Sequence, residues 1–112
     1  MDSSIAAHLY AFDFNGAAGQ ISYLKAHHYS SLTEGDCNGS SQNLQQTNGW
    51  AYSADRNTRI GSMFCYTGTD GRNALAWTYD DTAVMLTAIA GPSHTHAELY
   101  TWWIGQTQLA LR

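Results

Sequence analysis

Three turn signals divide the second half of the chain, and they constrain its fold more than any other feature. Gly68-Thr69-Asp70-Gly71 carries the Asp-Gly pair of tight hairpins, Asp80-Asp81 marks a second reversal, and Gly91-Pro92-Ser93 ends the last apolar stretch. The runs between them are too short for helices and read as strands. Over residues 60–67, Ile60, Ser62, Phe64 and Tyr66 fall on one side, with Gly61, Met63 and Cys65 on the other. Residues 73–79 run back with Leu75, Trp77 and Tyr79 on one face, and the mostly apolar 82–90 reads as a strand that is central or buried on both faces. After the third signal, Ser93 suits the N-cap of a helix over 94–105. Ala97, Leu99, Tyr100, Trp103 and Ile104 supply its apolar face, and Gly105 its C-cap.

The first half is less regular. Residues 1–18 form an arm mixing small and aromatic residues without a clear period, with a short strand or irregular segment over 9–14 before the Asn15-Gly16 turn signal. Ile21, Leu24, His28 and Leu32 have helical spacing, which predicts a helix over 19–32. Residues 33–49 are polar and predict a long loop with one helical turn around 42–46. Trp50-Ala51-Tyr52 opens an extended segment, 54–59 is a polar turn, and 106–112 is a short tail that frays or packs as an edge strand. The expectation is one domain, with a core over 19–105, of α+β class: an antiparallel sheet of about four strands with two helices packed on it.

Composition narrows the function. At 112 residues there is room for one core. Charged residues are 12 %, half the usual share of about 25 %. The aromatic content, also 12 %, argues against disorder. Five scattered cations are too few for a phosphate-neutralising surface, so nucleic acid is not an expected partner. No apolar run is long enough to span a membrane, and no basic n-region precedes an apolar stretch, so neither a membrane span nor a signal peptide is expected here. The polar residues are mainly neutral, and Lys25 is the single lysine. That surface suits a secreted or cell-surface protein.

Cys37 and Cys65 lie 28 positions apart, without a CxxC partner or a Cys/His cluster, so no zinc site or thioredoxin-type motif is expected. The pair permits one disulfide, which would stabilise by roughly 3–4 kcal/mol. The alternative is two buried, reduced thiols in a cytosolic protein.

No GxSxG, HExxH or phosphate-binding glycine loop is present, and neither catalytic residue, metal nor cofactor is assigned. His94, His96 and Glu98 converge only on an extended segment; on a helix His94 and Glu98 pair at i,i+4 as a solvated couple. The adjacent His27 and His28 cannot chelate well on a helix. Asp80-Asp81 lacks the ligand spacing of a calcium loop. Aromatics are the remaining candidates. Trp77 and Trp103 read as core, while adjacent Trp102 and Trp103 cannot both face it. Trp50, Tyr52 and Trp102, with His94 and Glu98, are therefore the candidate ligand-binding residues.

The run from Arg59 through Ile60-Gly61-Ser62-Met63-Phe64-Cys65-Tyr66, then Asp70-Gly71, Leu75-Ala76-Trp77-Thr78-Tyr79-Asp80-Asp81 and Leu99-Tyr100-Thr101-Trp102-Trp103, resembles an extracytoplasmic domain of actinobacterial membrane proteins. That domain often follows the transmembrane helix of serine/threonine protein kinases. Leu24-Lys25-Ala26-His27-His28 and Cys37 are similar to its first helix and first cysteine, so the resemblance covers about residues 20–104. It implies a Cys37–Cys65 disulfide, an extracytoplasmic location and a sensing or partner-binding role; it brings no catalytic residue, and no kinase motif is in this chain.

The leading expectation is a small extracytoplasmic sensor or binding domain, non-catalytic, taking an unknown glycan or polypeptide. Any membrane attachment would come through a segment outside this chain. One alternative is a small secreted hydrolase, acting on nucleic acid or glycan through His27, His28, His94 or Glu98. Another is a self-assembling surface subunit, a homo-oligomer favoured by low charge.

Overall fold

A computed structural model describes residues 6–11 (as backbone), 22, 32–38, 42–81, 84–91 and 93–112. The strands are β1 (Ala6–Ala11), β2 (Thr33–Glu34), β3 (Asn43–Tyr52), β4 (Gly61–Thr67), β5 (Asn73–Tyr79), β6 (Val84–Ile89) and β7 (Leu109–Leu111); the helix α1 (His96–Thr107) precedes β7. Six strands lie in the order β1-β6-β5-β4-β3-β2, and β7 also joins β3. The β3-to-β6 run is the antiparallel meander that the turn signals predict, with 68–72 closing the β4–β5 hairpin.

The expected four-strand antiparallel sheet with two helices is incorrect. The sheet is larger and mixed, because β2 runs parallel to β3, and α1 is the one helix of several turns among the described residues. The helix expected over 19–32 lies outside the described residues, apart from Ser22 and Leu32. The loop expected over 33–49 is largely strand: β2 pairs Thr33 and Glu34 with Asn43 and Leu44, and β3 begins at Asn43. Backbone ladder bonds hold this polar stretch, so it needs no apolar alternation to be a strand.

Both faces of the sheet are buried. Trp50, Met63, Cys65, Leu75, Trp77 and Ala88 pack beneath α1 with Leu99 and Trp103. Phe64, Tyr66, Ala74, Ala76 and Met85 form a second cluster with Leu32 and Leu44. The alternation expected for β4 and β5 holds, except that Ile60 packs with the cluster under α1 rather than with Phe64 and Tyr66. It precedes β4, where Ile60 N–H donates to the Trp50 carbonyl.

Helix α1 is offset from the expected bounds. Thr95, not Ser93, is the N-cap: its side chain accepts from Glu98 N–H while the Glu98 carboxylate accepts from Thr95 N–H. Gly105 lies inside the helix, and Gln108 ends it in the left-handed region with φ 60°. Tertiary pairing fixes that exit, since Ser53 N–H takes the Gln108 carbonyl and β7 then joins β3.

The expected disulfide is absent. Cys37 and Cys65 are buried free thiols, near one another but not at bonding distance. Both donate to the Asn43 carbonyl, at 3.6 and 3.4 Å. The hydrogen bond with Cys65, then burial, pushes the Cys37 thiol far above its ordinary range and keeps it protonated.

His96 is the buried histidine of α1, with Nε2 2.9 Å from the Tyr66 carbonyl. A carbonyl only accepts, so Nε2 carries the proton. Burial lowers its pKa below 6.5, against the opposing pull of the Tyr66 and Ala74 backbone. The unfolded chain then binds more protons below pH 6.5, so this contribution is unpenalised above that pH and erodes as pH falls toward the depressed folded value. Thermal unfolding between about pH 7.5 and 5.5 should show a steeper fall in midpoint for the wild type than for His96→Gln, which keeps a donor for Tyr66; parallel curves would refute this.

Candidate functional site

The sheet edge beside β3 is interrupted. β2 covers Asn43 and Leu44, β7 covers Trp50 to Tyr52, and neither pairs with residues 45–49. There β3 bulges: Gln45 pairs with Met63 and Trp50 with Gly61, so the four residues 46–49 lie opposite Ser62 alone. Gly49 permits the bulge, with φ +65° and its missing Cβ only 2.0 Å from the Gly61 carbonyl oxygen.

Charged side chains then fasten the bulge from two sides. The Glu34 carboxylate accepts from Gln46 and Thr47 N–H at 2.9 and 2.8 Å. The Arg59 guanidinium donates to the Gln46 carbonyl at 2.6 Å, to Ser62 Oγ at 2.7 Å and to Asp80 at 2.7 Å. Burial holds the Asp80 carboxyl above its usual range despite Arg59. This network holds the strand, with Arg59 Nε and Asp80 Oδ1 left buried without a partner among the described residues.

A cleft of about 370 Å³ opens beside the bulge, lined by Asp36, Asn38, Gln45, Asn48, Arg56, Tyr100, Leu111 and Arg112. Its size is at the lower end of small-molecule sites, about 300–1,000 Å³. One wall is fixed by Arg112, whose guanidinium donates to the carbonyls of Arg56 (3.0 Å), Asn57 (3.2 Å) and Asn48 (3.5 Å). Arg56 donates in turn to the Leu111 carbonyl. Tyr100 stacks on Trp103 at 5.8 Å, and burial raises its phenol pKa. Asp36 keeps one carboxylate oxygen on Asn38 N–H, and its carbonyl accepts from Asn43 Nδ2. The side-chain amides of Asn38, Gln45 and Asn48 bond to no other residue among those described.

A second cleft, about 320 Å³, lies at the β4–β5 hairpin against Tyr66, Ala74 and Ile89. Its polar groups are more fully engaged: Thr67 donates to Asn73, while Asp70 accepts from Arg72 N–H and faces the Arg72 guanidinium at 3.8 Å. Self-pairing leaves this cleft less to offer a ligand, so the first is the candidate site.

No family model, curated protein or solved structure is significantly similar to this chain.

The five candidates from the sequence do not form one site. Trp50 is fully buried, and its indole N–H donates to the Thr78 carbonyl at 2.9 Å. Tyr52, half exposed, packs edge-on against Trp50 with centroids 6.3 Å apart. Trp102 is half-buried on the flank of α1. His94 and Glu98 form the i,i+4 pair, 3.0 Å apart, at the helix N-terminus. That is the opposite end of α1 from Tyr52, whose strand partner Leu109 follows the helix. The Thr95 backbone N–H, then His94, holds the Glu98 carboxyl below its usual range. Helix capping thus accounts for this carboxylate. His27 and His28 lie outside the described residues. No cluster of three metal-ligating side chains occurs among the described residues, and none of their helices is long and apolar enough to cross a membrane.

The sequence reading missed Asp36, Asn38, Gln45, Asn48, Arg56, Tyr100 and Arg112 as a group. A signal was present in the density of Asn, Gln and Asp over 36–48, which reads as loop chemistry until the strand places it beside Tyr100.

Proposed function

We propose that this chain is a small, non-catalytic ligand- or partner-binding domain of sensor type, placed outside the cytoplasm. One observation carries the binding reading: side chains from the 36–38 segment, β3 and its bulge meet at one cleft with unspent donors and acceptors. Gln45 is half-buried and Asn38 and Asn48 are exposed, so their amides are open to a ligand entering the cleft. The extracytoplasmic placement is supported by the neutral polar composition and by the resemblance; the free thiols lend it nothing. The capping role of Glu98 favours binding over the hydrolase alternative.

The test is an amide chemical-shift screen of the ¹⁵N-labelled protein against neutral sugars, amino acids, short peptides, nucleotides and inorganic anions. The expected result is saturable shifts confined to residues 36–38, 45–48 and 109–112 for at least one class. No shift in the cleft by any class, or turnover of a compound that depends on His94 and Glu98, would overturn the reading.

A further inference from the structure

The chemistry of the cleft selects among ligand classes, and this step rests on the binding reading above. We infer that the cleft is a saccharide site, taking a neutral mono- or disaccharide through the planar side chains of Asp36, Asn38, Gln45 and Asn48 and the ring of Tyr100.

Committed donors and sparse charge disfavour the simplest competitors. Two arginines line the cleft, yet all three nitrogens of the Arg112 guanidinium donate to backbone carbonyls, and Arg56 spends one on Leu111. The Asp36 carboxylate stands in the same wall. Both guanidinium charges remain, but three Arg112 N–H groups are committed to backbone carbonyls, so an anion would find few free donors and the Asp36 carboxylate beside them. A divalent cation would find a single carboxylate, where such ions take six or more oxygens or several charged ligands. An apolar ligand would find only Leu111 and the tyrosine ring among eight lining residues, and would strand the amides around it.

A neutral polyol meets none of these penalties. Each sugar hydroxyl both donates and accepts, and each carboxamide does the same from one planar group. Asp36 accepts, Arg56 donates, and Asn38, Gln45 and Asn48 do either. Tyr100, half-buried and held by its stack on Trp103, is the one aromatic group in a lining that is mainly polar. The lining therefore has partners for the hydroxyl groups a sugar presents. A short peptide fits less well: β2 and β7 already flank the bulge, and Glu34, Arg59 and Arg112 occupy backbone groups of residues 46–49 that an added strand would need.

Testing it requires the same labelled protein titrated with glucose, galactose, mannose, N-acetylglucosamine and their disaccharides, beside phosphate, acetate and a neutral tripeptide. At least one sugar should bind in the millimolar range or tighter, with shifts confined to the cleft. Gln45→Ala and Asn48→Ala should each weaken it by about tenfold. Arg72→Ala, in the other cleft, should leave the affinity unchanged, and the amide spectra of all three variants report directly whether each is folded. Cleft shifts from phosphate, acetate or peptide but from no sugar would overturn the saccharide assignment and leave the binding reading standing. Silence from every compound would overturn both. Sugar shifts outside the cleft, or indifference to Gln45→Ala and Asn48→Ala, would overturn the assignment alone.

Discussion

Gly61→Ala is expected to be among the most destabilising single substitutions in this chain, although it adds only one methyl group. A Cβ at Gly61 would lie 1.6 Å from the Thr78 carbonyl oxygen and 2.8 Å from the Trp50 indole nitrogen. Neither neighbour can retreat cheaply. The first is backbone of β5, inside the sheet, and the second belongs to a fully buried ring bonded to that same carbonyl. Relief requires β4 to separate from β5, which also breaks the bond from Ser62 N–H to Thr78 Oγ1. The cost should be at least about 3 kcal/mol, a large part of the roughly 5–15 kcal/mol that holds a domain of this size. Gly105→Ala is the control. It lies within α1 with nothing within 4 Å, so the methyl group meets no neighbour and helix propensity should raise stability by about 0.5–1 kcal/mol. Urea unfolding of the three proteins measures both signs, and a Gly61→Ala protein within about 1 kcal/mol of wild type would show that the strands tolerate this separation.

The same region shows what a sequence can and cannot display. Period-2 alternation in β4 and β5 is written in large apolar residues, so Met63 and Cys65 can be separated from Phe64 and Tyr66 by counting. The Asp70-Gly71 turn is likewise local chemistry. Nothing local marks residues 43–49 as a strand, because their stability comes from ladder bonds and from Glu34, Arg59 and Arg112, which reach them from 12 to 64 positions away. A polar edge strand with a bulge and a polar loop have nearly the same composition. The candidate site inherits this opacity, since it forms where that strand bulges and its walls come from five separate segments. The cysteines show a related limit. Their spacing permits proximity, and they do meet at the Asn43 carbonyl, but two thiols with a shared acceptor and a disulfide look identical in a sequence. Trp102 and Trp103 are legible locally: residues 100° apart on a helix cannot both face one sheet, and Trp103 is buried while Trp102 lies at the flank.

That division of the two tryptophans carries the second large effect. Trp103 is fully buried where α1 meets the sheet, edge-on to Trp50 at 6.3 Å and to Trp77 at 6.1 Å, and stacked on Tyr100 at 5.8 Å. Its indole N–H has no partner among the described residues, so the ring contributes through packing and aromatic contact rather than through a hydrogen bond. Trp103→Ala should therefore cost about 3–5 kcal/mol, the range for emptying a large aromatic site in a packed core. Trp102→Ala removes a half-buried ring from the flank and should cost less than about 2 kcal/mol. Trp103→Phe separates packing from function: it retains most of the apolar volume, so the domain stays folded, but it narrows the surface on which Tyr100 stacks. If Tyr100 is held for the cleft by that stack, Trp103→Phe should lower sugar affinity several-fold more than Trp102→Ala does, even where the two variants unfold at similar urea concentrations. Equal affinities in the two folded variants would show that the Trp103 ring supports the helix alone and that Tyr100 reaches the cleft without it.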